Sequence, residues 1–387
     1  MKIGIDARSI LNPEKKGNIG VGHYTYHLLR QLQKIDKQNE YVIFLDSTVR
    51  EKDISKFQKD NFSVKFFPYN KYRRFLPSRY KDIMLGGFFN QENLDILHII
   101  GLSSAVPPKF AGQIVVTGRG IGSTKHPELY PEKTQNKSKR INKVLKANED
   151  HLSLIVSSDA LKKDVINLLD IPGEKITVVH EGIDERICSQ RDEGKIKEVK
   201  KKYNLSDRFM LYMGTIEPVK NIPRLIEAFK KVKDQSSEAC QLVIAGKDGW
   251  MADEIRSMAV DLGIEKDVIF TGYIPPEEMA SLFQASCAFI FIPLYEGFGS
   301  PVVEAMACCL PIIASDINSL KEVAGGAAEF VNPYDVNSIA DKMLKFSLER
   351  YDIKGQCEKS CNQARNFSWE KCARETLGVY KSIFNSQ

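Results

Sequence analysis

The sequence predicts an α/β protein of two Rossmann-like domains, and three observations carry that prediction. Short β-branched and aromatic runs alternate with amphipathic helical stretches from end to end, as in parallel sheets covered by helices on both faces. The chain has 387 residues, longer than one domain usually runs, and a hydrophobic content of 43%, enough for two cores. A polar stretch near residues 185–202 separates two complete series of such alternations.

The first series places strands near Ile3 to Ile5, Tyr41 to Leu45, Val64 to Phe67, Ile96 to Ile99, Ile114 to Thr117, Leu154 to Val156 and Ile176 to Val179. The polar stretch, with its run GKIKEVKKK, reads as a linker carrying a solvated helix. The second series starts at FMLYMG (209–214) and continues through QLVIAG, DVIFTG, AFIFIP, PIIAS and AEFV. In the closing segment FSWEKCARETLGVYKSIF, Trp369, Leu377, Tyr380 and Phe384 recur at helical spacing, so one face should pack. The expected divisions are 1–184, a linker at 185–205, 206–366 and a terminal helix at 367–387. No short-period repeat appears, which excludes a solenoid. Open parallel sheets bind ligands at their strand carboxyl ends, so functional residues should gather at strand-to-helix turns.

The opening MKIGIDARSIL reads as a first strand and not as a signal peptide. No apolar run reaches the roughly 18 residues a bilayer crossing needs. The cysteines at 188, 240, 287, 308, 309, 357, 361 and 372 form no CxxC pair and have no histidine set beside them. They read as buried, reduced thiols of a cytoplasmic protein. Net charge is +5 but unevenly placed: residues 1–180 hold 29 Lys and Arg against 19 Asp and Glu, and the remainder 26 against 31. The acidic second half speaks against a nucleic-acid-binding module, which needs a continuous basic face.

Three motifs carry chemistry. YEGFGSPVVEAMA (295–307) follows the strand AFIFIP. Gly297 and Gly299 allow close backbone approach, Ser300 can cap a helix, and Pro301 suits a first turn, so this helix start can receive an anion. Glu296 and Glu304 flank the turn as E-x7-E, and carboxylates accept the paired hydrogen bonds that vicinal sugar hydroxyls offer. The alternative for Glu304 is a helix cap, but a capping box would need the glutamate at Val303. LYMGTIEPVKN (211–221) is a second strand, turn and helix start, in which Lys220 and an N-cap at Asn221 could converge on phosphate; the alternative is a surface lysine. GNIGVGHYTYHLL (17–29) sets Gly20 and Gly22 before a helix. With Asp46 at the second strand's end it also suggests a dinucleotide fold, but the loop from Asp6 is too long for that turn and Thr25 replaces the third glycine.

EGFGSPVVEAMA, GTIEPVKN, the opening GIDARS with GVGHYT, and the closing FSW helix together resemble the retaining glycosyltransferases of family 4, especially their mannosyltransferase-like branch. The resemblance covers essentially the whole chain. It implies the GT-B fold, two Rossmann-like domains facing across a deep cleft with the C-terminal helix crossing back to the first. It implies a hexose donor linked to GDP or UDP, GDP-mannose first, bound by Gly20, Gly22, Thr215, Lys220, Tyr273, Ile274, Glu296, Gly297, Phe298, Gly299, Ser300, Pro301 and Glu304. Glu296 would hold donor-sugar hydroxyls, Glu304 the ribose, Lys220 the diphosphate, and the backbone at Tyr273 and Ile274 the base. The acceptor would be a glycan or polyprenyl-linked saccharide. Three positions depart from the family pattern: Arg119 and Gly120 stand where His-Asp is usual, Val219 where arginine is usual, and Cys309 where glycine is usual. Arg119 cannot shuttle a proton, yet can bind phosphate or a hydroxyl, so Glu296, Lys220 and Arg119 are the expected catalytic set.

The chain contains no D-x-D triplet to hold a metal at the diphosphate, so no cofactor or metal is expected. Two rivals are a degenerate homologue that binds nucleotide sugar and supports a partner, and a nicotinamide oxidoreductase. Finally, KYRRFLPSRYK (71–81) interleaves basic residues with Tyr72, Phe75, Leu76 and Tyr80, and KSKRINKVLK (137–146) adds a second basic stretch. Together they suggest peripheral contact with an anionic membrane at its inner face.

Overall fold

Parallel strand pairing builds two separate sheets in the computed structural model, which describes residues 1–8, 10, 19–47, 57–67, 78–101, 107, 110–184, 186–187, 190–236, 240–348 and 353–385. The first holds β1 (Lys2–Asp6), β2 (Glu40–Asp46), β3 (Phe62–Phe67), β4 (Ile96–Ile100), β5 (Gln113–Gly118), β6 (Leu152–Val156) and β7 (Ile176–Val178), in the order β3-β2-β1-β4-β5-β6-β7. The second holds β8 (Phe209–Met213), β9 (Gln241–Ala245), β10 (Val268–Gly272), β11 (Ala288–Phe291), β12 (Ile312–Ser315) and β13 (Glu329–Val331), in the order β10-β9-β8-β11-β12-β13. Every strand read from the sequence is present. Strand order reverses between β1 and β4 in one sheet and between β8 and β11 in the other, and these are the switch points where open α/β sheets take ligands.

The chain divides into two compact units. Unit 1 comprises Met1–Lys125, Glu132–Gly182 and Ser368–Gln387; unit 2 comprises His126–Pro131 and Ile183–Phe367. The C-terminal helix Trp369–Asn385 belongs to unit 1, as the sequence led us to expect, and packs against the helix Ile19–Ile35. Its Trp369 ring stacks on His27 at 5.0 Å and meets Tyr24 edge-on at 5.4 Å. The Tyr380 hydroxyl reaches His98 Nδ1 on β4 at 2.5 Å, while His98 Nε2 pairs with Thr117 Oγ1 at 2.7 Å. Both polar groups of the buried imidazole are thereby satisfied inside an apolar layer.

Three sequence readings need correction here. The stretch taken as a linker with a solvated helix folds as Glu193–Tyr203 with Ile196 and Val199 buried, and Tyr203 donates to Glu278 at 2.7 Å. The apolar pair at i and i+3 was too sparse to outweigh the lysines in a reading by composition. Gly20 and Gly22 lie inside the first turn of Ile19–Ile35 and do not precede it. Most consequentially, Cys309 and Cys361 are joined by a disulfide, with Cα atoms 4.8 Å apart. Cys240, Cys287, Cys308, Cys357 and Cys372 take no part in a disulfide. A sequence separation of 52 gave no spacing signal for that bond. Cys188, the loop 11–18 and most of the basic segment 71–81 lie outside the described residues.

Candidate active site

The strongest constellation grows from the two strands that flank the switch point of unit 2. β8 ends at Met213 and leads through Gly214 and Thr215 to a 3-10 turn, Pro218–Lys220; β11 ends at Phe291 and leads to Glu296 and Gly299. Backbone and side-chain hydrogen bonds lock these turns together. Leu294 N–H donates to the Val219 carbonyl at 2.9 Å. The buried Asn221 amide donates to the carbonyls of Ile292 at 3.1 Å and Pro333 at 2.7 Å. The Ser319 hydroxyl donates to the Glu296 carbonyl, and that of Ser315 to the Pro293 carbonyl, both at 2.7 Å. Asn221 therefore stands at the N-cap position without capping its helix; it ties the loops instead.

In that frame Lys220 Nζ donates to Glu296 Oε2 at 2.6 Å, and both side chains are half-buried. The ammonium also lies 5.6 Å from the centre of the Phe291 ring. An ion pair of this depth is screened less than a surface pair. Glu296 is therefore an ion-paired, half-buried carboxylate and not a solvated loop charge.

The helix Ser300–Ala307 begins directly behind this pair. Its N-cap is Gly299, at φ 97°, and Ser300 is the first helical residue, so Ser300 does not cap as the sequence suggested. A Cβ at Gly299 would sit 2.4 Å from Leu320 Cδ2, which makes glycine necessary on steric as well as conformational grounds. Glu304 is half-buried one turn further on, and Pro301 occupies the first turn. Phe298 points the other way: its ring is buried and meets Phe367 edge-on at 5.7 Å, so only its backbone can face a ligand. Gly297 is buried in the same turn. Thr215 is half-buried, and its carbonyl accepts from the Tyr212 hydroxyl at 3.3 Å. At the end of β10, Gly272 at φ 72° turns the chain so that Tyr273 is exposed and Ile274 buried.

Two residues to which the sequence gave no role join this site. Glu217, at the N-cap of the 3-10 turn, has its carboxyl pushed above the usual range by burial; Lys220 and Lys247 oppose that shift and Glu296 adds to it. Tyr130 lies on His126–Pro131, the short segment grouped with unit 2, where His126 stands 5.9 Å from the Tyr295 ring. Burial, then the negative charges of Glu217 and Glu296, push the Tyr130 hydroxyl up, so it remains a neutral donor beside these carboxylates. Glu217 was visible within GTIEPVKN as an acidic residue between two helix signals. Nothing local marked Tyr130, which is 166 positions from Glu296.

Unit 1 holds the other expected residues. Arg119, just past β5, makes a two-pronged pair with the buried Glu181: Nε to Oε1 at 2.6 Å and Nη2 to Oε2 at 2.7 Å. Its guanidinium carbon lies 5.9 Å from the centre of the Tyr24 ring. A Cβ at Gly20 would meet Arg119 Nη1 at 2.6 Å, so glycine there makes room for the chain's own arginine. Gly22 is buried within the same helix. Glu181 thus fixes the Arg119 guanidinium beside the first turn of Ile19–Ile35.

Two family models match the chain. Residues 195–367 match glycosyl transferases group 1, and residues 19–186 match glycosyltransferase family 4. The O-antigen chain mannosyltransferase B of Escherichia coli is 30% identical over 276 residues, covering 70% of this chain and 70% of that protein. Among solved structures, sucrose-phosphate synthase from Thermosynechococcus elongatus matches at a TM-score of 0.77 and 18% identity, covering 100% of both chains. Anabaena HepE in complex with UDP and glucose matches at 0.72 and 14%, covering 99% of this chain and 100% of that one.

Proposed function

From the premise that this chain belongs to the glycosyltransferases of family 4, with their α/β GT-B fold, we propose that it transfers mannose from GDP-mannose, with retention, to a glycan or polyprenyl-linked acceptor in polysaccharide synthesis. The observation that carries this reading is the Lys220–Glu296 pair at the switch point of unit 2, beside the start of Ser300–Ala307. Before donor binds, the two charges satisfy each other. A nucleoside diphosphate would replace Glu296 on Lys220 with phosphate oxygens and release the carboxylate to accept hydrogen bonds from sugar hydroxyls. The mannosyl name of the E. coli relative and the UDP bound to the Anabaena protein support a nucleotide-sugar donor of this class.

The chemistry then needs one bond exchanged for another. The bond from the sugar C1 to the β-phosphate oxygen breaks, the acceptor oxygen bonds to C1 on the same face, and the departing phosphate oxygen takes the acceptor proton. Negative charge grows on that phosphate, so Lys220 contributes more in the transition state than in the ground state. With no D-x-D triplet in the sequence, the proposed reaction uses the lysine and helix-end dipoles in place of a divalent ion.

The deciding experiment offers GDP-mannose, UDP-glucose and UDP-N-acetylglucosamine with lipid-linked saccharide acceptors and reads products by mass spectrometry, with and without EDTA. Mannosyl products in both conditions are expected. Transfer from a UDP sugar alone would reassign the donor, and products lost in EDTA but restored by Mn²⁺ would overturn metal independence. GDP or UDP binding without transfer or donor hydrolysis would favour the degenerate homologue.

A further inference from the structure

The loops after β8 and β9 are zipped together beyond the strand ends. Gly214 N–H donates to the Ala245 carbonyl at 2.9 Å, Ile216 N–H to the Lys247 carbonyl at 2.9 Å, and Gly249 N–H to the Ile216 carbonyl at 3.0 Å. Ile216 and Asp248 form an isolated parallel bridge. The approach is so close that a Cβ at Gly246, whose φ is 148°, would fall 1.8 Å from the Gly214 carbonyl oxygen. The backbone of Lys247 is thus fixed beside that of Ile216, one residue before Glu217 and four before Lys220.

Two oppositely charged side chains stand here without a direct partner among the described residues. Lys247 is half-buried, and among the described residues its ammonium makes no hydrogen bond and no ion pair within 4.0 Å. The Glu217 carboxylate, also half-buried, makes none either. The two feel each other only at longer range: burial lowers the ammonium's affinity for its proton, and Glu217 partly restores it. Neither head group is closed off from water, so each keeps bonding capacity that a ligand can take up. Their position at the carboxyl ends of adjacent parallel strands, next to the switch point, is where an α/β sheet receives its ligand.

Charge balance says which ligand group is missing. A nucleoside diphosphate brings more than one negative charge, and Lys220 alone already answers Glu296. Val219, where the family pattern leads one to look for a second cation, is apolar and 2% exposed, so it supplies none. We propose that Lys247 is a second diphosphate-binding residue of the donor site, and that Glu217 is the nearby negative charge that offsets it until the donor arrives. This rests on the nucleotide-sugar reading given above. On binding, phosphate oxygens supply the acceptors Lys247 lacks, and the Glu217 carboxylate becomes a repulsive neighbour of the diphosphate.

Calorimetric titration of the full chain with GDP and UDP, with GMP and UMP beside them, tests this. A charge-assisted hydrogen bond is worth about 1.5–3 kcal/mol, so Lys247→Gln should weaken diphosphate binding roughly 10- to 100-fold and monophosphate binding less. Lys247→Arg should restore most of it. Glu217→Gln should tighten diphosphate binding several-fold, an effect that loss of structure would not produce. Unchanged diphosphate affinity in Lys247→Gln, or equal losses for di- and monophosphates, overturns the assignment. Lys220→Gln separates the two readings. If it weakens binding while Lys247→Gln does not, the donor site stands and this inference fails; if the wild type binds neither diphosphate, both fail.

Discussion

Changing Glu296 to alanine takes from Lys220 the ion pair it makes at 2.6 Å and takes from the donor sugar its proposed carboxylate. Turnover should fall at least about 100-fold, the cost typical of removing one group that acts on transition-state charge. Glu304→Ala should act mainly on donor affinity, because that side chain sits a turn further along the helix. Steady-state kinetics with the true donor decide it, and wild-type kcat and KM in both variants would remove the site assignment. At this scale the turn itself was legible: EGFGSP sets Gly299 where φ 97° and the closeness of Leu320 require glycine for local reasons. The sequence was uninformative where a partner came from far away. Arg119 is set by Glu181, 62 positions on, and no periodicity links them. Phe298 was read as a ligand contact because it stands in the motif, but a residue between two glycines can turn its ring into the core. Cys309 takes φ 57° just past the helix Ser300–Ala307, which explains why glycine suits that position; a side chain there costs about 1–2 kcal/mol.

That cost is offset by the bond Cys309 makes to Cys361 on the helix Ile353–Ala364. Closing a loop of this length lowers the entropy of the unfolded chain by an amount worth about 4 kcal/mol. Thermal unfolding in dithiothreitol should therefore begin at lower temperature than in its absence, and Cys361→Ser should abolish the difference. Thiol titration of the denatured, unreduced protein should find two thiols fewer than after reduction; equal counts would exclude the bond. The C-terminal helix supplies a second prediction for an element. Burial holds the His98 imidazole, bonded to Tyr380 and Thr117, down to about 3, with Asp6 opposing the shift slightly. Unfolded histidine titrates near 6.5, so between these values the unfolded chain takes up a proton that the folded one refuses. Stability should thus be full above about pH 6.5 and decline as pH falls towards 3, by up to about 1.4 kcal/mol per pH unit from this group. Melting curves of the wild type and His98→Gln isolate it: the slope difference should vanish below pH 3, and parallel curves between pH 6.5 and 4 would refute the account. The helix itself was legible from Trp369, Leu377 and Tyr380, but its anchor was not, since His98 is 282 positions away.

For the whole molecule, the two sheets were legible because buried parallel strands read as continuous apolar runs and the series restarts after residue 205. The division into units was less so, because His126–Pro131 leaves no compositional trace of being grouped with unit 2. The uneven charge of the two halves has a consequence at this scale. On unit 1 the helix Ser78–Asn90 exposes Tyr80, Ile83 and Met84, at 62%, 52% and 39%, and Phe66 on β3 is 44% exposed. The helix Glu132–Ala147 exposes Lys137, Lys139, Lys143 and Lys146. Among the described residues no helix is long and apolar enough to cross a membrane. Apolar groups that enter the headgroup boundary and cations that sit over it reinforce one another, which is the combination expected of a surface that meets an anionic membrane. Sedimentation with phosphatidylglycerol vesicles should carry the protein down, phosphatidylcholine vesicles should not, and added salt should weaken the binding within a Debye length's reach. Each cation near such a surface contributes about 1 kcal/mol, so changing Arg73, Arg74 and Arg79 to serine should lower partitioning on the order of 100-fold. Tyr80→Ser with Ile83→Ser should weaken binding while leaving its salt dependence intact. Equal pellet recovery for the triple arginine variant and the wild type would remove the case for this segment.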